Sequence, residues 1–189
     1  MESTILNISV IGGGYVGLVT ASCFAYLGHT IRIVEIDTKK AELINKGVPP
    51  IYEEKLEDIL KQTSGKNLSA QSHYEGIDDA DIIFICVGTP PQGDGSADLT
   101  YITRASESIG AALKGSEKYH VITVKSTVPP GTTESVVIPA VMKSLGDSSD
   151  SVGFCMNPEF LREGRAIDDF LHPDRIVIGG SSEKAIRVV

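Results

Sequence analysis

The chain has no tryptophan, three cysteines and four histidines in 189 residues. Cys23, Cys86 and Cys155 each sit inside an apolar helix or strand pattern, where a buried and inert thiol is the default. Their odd number and their spacing exclude a disulfide framework and give no zinc-ligand pattern. His29, His73, His120 and His172 are scattered, so no metal site is expected. Positive charge is also short: 17 Lys and Arg against 25 Asp and Glu leave a net charge of −8. Without a basic stripe to offset phosphate charge, nucleic acid is not an expected partner. No apolar run approaches the ~20 residues of a membrane span. The opening Met-Glu-Ser-Thr lacks the basic and apolar segments of a signal peptide. A cytoplasmic protein with no membrane partner is expected.

What is present is a composition of one globular core, 41% hydrophobic, and a phosphate-binding pattern at its start. The apolar run Ile8-Ser9-Val10-Ile11 turns directly into Gly12-Gly13-Gly14-Tyr15-Val16-Gly17. This is G-x-G-x-x-G between a predicted strand and a predicted helix. Its first glycine permits the tight turn, the second lets backbone N–H groups approach a pyrophosphate, and the third lets helix and strand pack closely. The helix N-terminus then holds the phosphates. Gly28 is a natural stop for that helix. A β-branched strand, Ile31-Arg32-Ile33-Val34, follows and ends in Glu35, 18 residues past Gly17. An acid at that distance accepts hydrogen bonds from the adenosine ribose and repels a 2′-phosphate, which predicts NAD rather than NADP. A solvated strand end is the plainer reading of Glu35, but the fingerprint favours the ribose. For Asp37 an N-cap of the next helix is preferred.

Helices are expected over residues 38–45, through Leu56, Ile59 and Leu60, and over 101–113 and 132–144, the last disturbed by Pro139. Strands are expected over residues 68–71, 81–87, 120–125, 152–156 and 175–178, with a polar loop at 146–151. The run Asp81-Ile82-Ile83-Phe84-Ile85-Cys86-Val87 is apolar on both faces, as in a parallel sheet covered by helices. The alternation predicts a doubly wound, mostly parallel α/β sheet of Rossmann type with helices on both faces. No internal repeat or low-complexity tract interrupts it.

In such a sheet ligands bind beyond the carboxyl ends of the strands. Two loops there share proline and hydroxyl residues: Thr89-Pro90-Pro91, and Ser126-Thr127-Val128-Pro129-Pro130-Gly131-Thr132. Each alone could be turn chemistry with Thr132 or Thr133 capping a helix; two on one edge favour ligand contact. The stretch Asn157-Pro158-Glu159-Phe160-Leu161-Arg162-Glu163-Gly164-Arg165-Ala166 places two acids four residues apart. On a helical turn they would share a face and suit proton handling or sugar hydroxyls. Spacing alone leaves open a wet pairing with Arg162 and Arg165.

Taken together, these motifs resemble the NAD-binding domain of the UDP-glucose/GDP-mannose dehydrogenase family. The resemblance rests on Gly-Gly-Gly-Tyr-Val-Gly-Leu at residues 12–18, Val-Gly-Thr-Pro at 87–90, Lys-Ser-Thr-Val-Pro-Pro-Gly at 125–131, Asn-Pro-Glu-Phe-Leu-Arg-Glu-Gly at 157–164 and His-Pro-Asp-Arg-Ile-Val-Ile-Gly at 172–179. Family members oxidise the C6 hydroxyl of a nucleotide sugar to a carboxylate with two NAD⁺. The resemblance therefore implies roles for matching positions. Gly12, Gly14, Gly17, Tyr15 and Val16 would hold the pyrophosphate, with Glu35 and Lys40 at the adenosine end. Val87, Thr89, Pro90, Ser126 and Thr127 would touch the cofactor, Thr127 also near the reacting centre. Glu159 would be the acid/base residue. Phe160, Leu161 and Arg162, together with Glu159 and Glu163, would line the nucleotide-sugar site, and Glu163 would also lie beside the nicotinamide. Many relatives carry Asp where this chain has Glu35.

The family's cysteine nucleophile, needed for the aldehyde-to-acid step, lies in a Gly-rich loop of a later domain, and none of the three cysteines here matches it. The expectation is an NAD-binding domain over residues 1–180, with 181–189 starting a helix towards further domains, inactive by itself. The complete enzyme is expected to be a homodimer or higher oligomer. UDP-glucose is the favoured substrate. A GDP-mannose or UDP-N-acetylmannosamine dehydrogenase and a stand-alone dinucleotide-binding module are the alternatives.

Overall fold

The computed structural model describes residues 4–146, 151–180 and 182–189. Residues 147–150 of the expected polar loop lie outside the described residues, as do residues 1–3 and Ser181. Six short strands pair in parallel: β1 (Asn7–Ile11), β2 (Thr30–Val34), β3 (Leu68–Gln71), β4 (Ile82–Ile85), β5 (His120–Val124) and β6 (Val152–Met156). A two-residue strand, β7 (Gly179–Gly180), adds antiparallel to β6. The sheet order is β3-β2-β1-β4-β5-β6-β7.

The register explains why the strands read as continuous apolar runs. Ile8 pairs with Ile82 and Val10 with Phe84, and these side chains enter one core beneath α1 (Tyr15–Tyr26), α2 (Thr38–Asn45), α3 (Leu56–Thr63) and α6 (Ala166–Leu171). The alternate residues Ile11, Ile83 and Ile85 enter a second core beneath α4 (Thr100–Ala112) and α5 (Ile138–Leu145). Both faces are covered, as a parallel sheet requires. Each buried Ile or Phe contributes about 2–3 kcal/mol of transfer free energy. Helices α4 and α5 cross closely because Gly110 has no side chain; a Cβ there would lie 2.3 Å from the Val141 carbonyl oxygen. The last helix, α7 (Glu183–Val188), rests on β6, where Ala185 is fully buried beside Val121 and Cys155.

Two elements differ from expectation. The helix over 132–144 begins as a π-helical turn, Thr133–Val137, before α5. Ile138 N–H bonds to the Thr133 carbonyl five residues back. A widened turn there moves carbonyls away from the Pro139 ring, which would collide with one in a regular α-helix. The strand expected at 175–178 lies outside the sheet, and pairing starts only at Gly179. A Cβ at Gly180 would come within 3.1 Å of the Phe154 carbonyl oxygen, so close backbone approach favours glycine at that position of the pairing.

Strands β1 and β4 are neighbours, while the chain leaves them towards opposite sides of the sheet. In a doubly wound sheet this switch point, beyond their carboxyl ends, is where ligands bind.

Candidate functional site

The loop after β1 is shaped by backbone crowding on one side and open space on the other. Gly12 has a φ of +101°, and a Cβ there would lie 2.8 Å from the Cys86 carbonyl oxygen. At Gly17 a Cβ would come within 1.9 Å of the Gly12 carbonyl oxygen. Both glycines are needed for α1 to start directly under β1. Gly14, at the N-cap, is the reverse: a Cβ there would meet no described atom within 4 Å. The helix has no side-chain cap and no acid in its first turn. Its free N–H groups and positive dipole end therefore offer a cradle for phosphates over Gly14.

Glu35 closes the cradle at the end of β2. It is 8% exposed. Its Oε2 accepts a hydrogen bond from Gly13 N–H at 2.9 Å, and its Oε1 one from Asp37 N–H at 2.9 Å. The carboxylate is thus held against the glycine loop, and each oxygen keeps a lone pair for a ribose hydroxyl. Asp37 caps α2, accepting from the amides of Lys39 and Lys40. Lys40 is half-buried in that first turn. An open, uncapped helix terminus beside a fixed acid fits a dinucleotide in chemistry and in place.

The proline loops after β4 and β5 are tied to each other. Thr89 Oγ1 donates to the Thr127 carbonyl at 2.6 Å, and Ser126 Oγ donates to the Val87 carbonyl at 2.6 Å. Their hydroxyl donors are used within the protein, which leaves lone pairs for a ligand. Thr127 and Pro90 are exposed. Thr132 is no cap; its hydroxyl donates to the Pro129 carbonyl at 2.7 Å.

The segment after β6 corrects one expectation. Residues 157–162 are not helical, so Glu159 and Glu163 do not share a helical face. Pro158 denies the chain an amide, and side chains organise the segment instead. Glu159 turns inward to Lys125 at the end of β5, with Nζ 3.3 Å from Oε2 and the two side chains 8% and 12% exposed. Its Oε1 accepts from Leu161 N–H. Oε2 is buried with no hydrogen-bond partner among the described residues, because the ammonium is near but poorly aligned. Lys125 Nζ donates to Asn157 Oδ1 at 3.1 Å. Glu163 and Arg162 face solvent. Arg162 pairs not with a glutamate but with Asp169, at 2.6 Å. The Arg162 guanidinium and amide beside Asp169 hold its carboxyl down at about 2. Phe160 is 54% exposed, and Leu161 is half-buried against the core under α1.

A cleft of about 950 Å³ runs along this edge, lined by Phe84, Lys125, Glu159, Leu161 and Phe170 among others. A shallower hollow of about 510 Å³, between Gln92 and Glu107, holds none of the expected site residues. The thiols take no part: burial pushes Cys86 and Cys23 up to about 12, Cys86 despite the nearby Lys125 ammonium. Among the described residues no group of His, Cys, Asp and Glu could hold a metal ion, and no helix is long and apolar enough to cross a membrane.

All the expected cofactor and substrate residues thus end at one edge of the sheet. Sequence reasoning missed Lys125, Asn157 and Glu53. For Lys125 a signal existed, a lone charge closing the apolar strand His120–Val124. Glu53, which is 4% exposed, accepts bonds from Gly164 and Ala166, 111 and 113 residues away. No local pattern announces that.

A model of the UDP-glucose/GDP-mannose dehydrogenase family, NAD binding domain, matches residues 6–189. The UDP-glucose 6-dehydrogenase of Haloferax volcanii is 41% identical over 95% of the chain, which spans 42% of that relative. The structure of a UDP-glucose dehydrogenase from Pyrobaculum islandicum superposes with a TM-score of 0.93 at 43% identity, covering 98% of this chain and 43% of that one. A ternary complex of GDP-mannose dehydrogenase from Pseudomonas aeruginosa gives 0.92 at 39% identity, over 96% and 42%. The chain spans about two fifths of the length of these proteins.

Proposed function

We propose a function from one premise: the chain belongs to the UDP-glucose/GDP-mannose dehydrogenase family, whose NAD-binding domain it comprises. It is the cofactor-binding part of an NAD-dependent nucleotide-sugar dehydrogenase, with UDP-glucose as the substrate oxidised at C6 to the carboxylate. The relatives named UDP-glucose 6-dehydrogenase support that substrate. The observation that carries the chemistry is the Lys125–Glu159 pair, placed at the strand ends beside an open glycine loop.

The open helix N-terminus at Gly14 and the Glu35 carboxylate would hold NAD⁺, which would supply the hydride acceptor. The protein's own residues handle position and protons. Oxidation of a C6 hydroxyl releases a proton, and Glu159 is the base for it. Its Oε1 is committed to Leu161 N–H, while Oε2, 3.3 Å from Lys125 Nζ, accepts no hydrogen bond among the described residues. Lys125 balances the carboxylate in this poorly solvated place. Thr127, exposed at the β5 loop, is assigned to the reacting side by the family resemblance. Phe160, Leu161, Arg162 and Glu163 take the nucleotide sugar. The buried thiols supply no nucleophile for the second oxidation, so this chain alone does not carry the aldehyde on to the carboxylate. Unpaired thiols suit the reducing cytoplasm.

The test is Glu159→Gln in the complete enzyme. Turnover is expected to fall about a hundredfold or more, with NAD⁺ affinity held within a few-fold. Unchanged turnover would remove the base from Glu159.

A further inference from the structure

Glu53 has no part in the chemistry above, yet it is among the most heavily engaged side chains in the molecule. It lies in the stretch between α2 and α3 and is 4% exposed. Its Oε2 accepts from the Tyr15 hydroxyl at 2.5 Å and from Gly164 N–H at 2.8 Å; its Oε1 accepts from Ala166 N–H at 2.9 Å. Two residues on, Lys55 holds a left-handed backbone, φ +67°, and its Nζ lies 2.6 Å from Asp168 Oδ1. One short stretch therefore grips the start of α6 and the turn containing Glu163. Through Tyr15 it also grips the first residue of α1.

Tyr15 follows Gly14 directly, so its backbone belongs to the phosphate cradle while its phenol belongs to Glu53. Burial and the Glu53 carboxylate both raise the Tyr15 phenol well above its ordinary value, so it remains a donor at neutral pH. Phosphate docking on the helix N-terminus restrains residue 15, then its ring, then the carboxylate, then the amides of Gly164 and Ala166. The links from the ring to the carboxylate and from the carboxylate to the two amides are hydrogen bonds seen in the structure, and the ring is joined to residue 15 covalently.

We infer that Glu53 is a positioning residue that couples the glycine loop to the 159–166 segment through Tyr15. A dinucleotide on the loop then orders the segment, and by reciprocity a ligand on the segment tightens the dinucleotide. That the second ligand is a nucleotide sugar rests on the function proposed above.

Hydrogen exchange of the Gly164 and Ala166 amides, measured free and at saturating NAD⁺ for each protein, tests the coupling. In the unaltered chain NAD⁺ is expected to slow both amides at least fivefold. Tyr15→Phe keeps both amide bonds to Glu53 and removes the link, so baseline exchange stays within about threefold while the NAD⁺-dependent slowing drops below twofold. A role limited to local structure would move the baseline, not this difference. Glu53→Gln turns an amide NH2 towards a donor, which raises baseline exchange and abolishes the slowing. If Glu53→Gln does not fold, Tyr15→Phe still decides. Full slowing retained in Tyr15→Phe, or no slowing in the unaltered chain, overturns the coupling. Absence of any NAD⁺ binding overturns both the coupling and the cradle. Because the readout uses NAD⁺ alone, an error about the nucleotide sugar leaves this result standing.

Discussion

The glycine loop after β1 and the irregular segment after β6 meet at the same edge of one sheet, but they are held in different ways. Around Gly12 and Gly17 the shape comes from main chain touching main chain, with clearances that exclude even a methyl group. Around residues 157–166 the shape comes from side chains reaching across the fold: Lys125 to Glu159, Glu53 to Gly164 and Ala166, Asp169 to Arg162. A backbone-built site tolerates almost no substitution at its few glycines and is insensitive elsewhere. A site held by side chains spreads its dependence over distant, ionised partners and yields to them one at a time.

The sharpest way to break the first region is Gly17→Ala. The added Cβ meets the Gly12 carbonyl and no side chain can give way, so about 4 kcal/mol of stability is expected to be lost. Thermal unfolding should shift by about 10 °C, and NAD⁺ binding should disappear. A variant that binds NAD⁺ normally would show that the loop is more compliant than its contacts imply.

Lys125→Met breaks the second region. It leaves Glu159 as a buried carboxylate without its counter-charge, at a cost of about 2 kcal/mol, below the 3–5 kcal/mol of a sealed pair because Glu159 borders a cleft. Because the glycine loop is shaped by its own backbone contacts and its link to the 159–166 segment runs through Tyr15 and Glu53 and not through Lys125, NAD⁺ affinity should change by less than about threefold in calorimetry. A loss of NAD⁺ binding as severe as in Gly17→Ala would erase the distinction between the two regions.

The smallest effect is one of pH. Asp169 titrates below its ordinary value, so its contribution is present above about pH 4 and is lost as pH falls towards 2. The protection of the Arg162 amide, which donates to Asp169, should fall over that window once exchange is referred to its intrinsic rate at each pH, and Asp169→Asn should remove that change in protection.

This contrast also explains what could be read from the sequence. The glycine spacing, the apolar runs of β4 and β5 and the Asp37 cap are local signals, and each became the element it predicts. The mostly parallel sheet with helices on both faces follows from the alternation of strand and helix, whereas the strand order does not. The segment after β6 was recognisable as a motif but not as a shape. A four-residue spacing suggested a helical turn, whereas Pro158 and the pull of Lys125 produce an extended loop. Glu53 gave no signal because its partners lie more than a hundred residues along the chain. Residues 175–178 read as a strand from β-branching alone, yet pairing with the sheet starts only at Gly179.

The central claim is that the edge formed by the glycine loop and Glu35 is a dinucleotide site selective for NAD. Parallel calorimetric titrations of the chain with NAD⁺ and NADP⁺ test it most directly. The predicted result is one site for NAD⁺, with NADP⁺ at least about tenfold weaker because its 2′-phosphate meets the Glu35 carboxylate. Equal affinity for the two, or no binding of either, would contradict it.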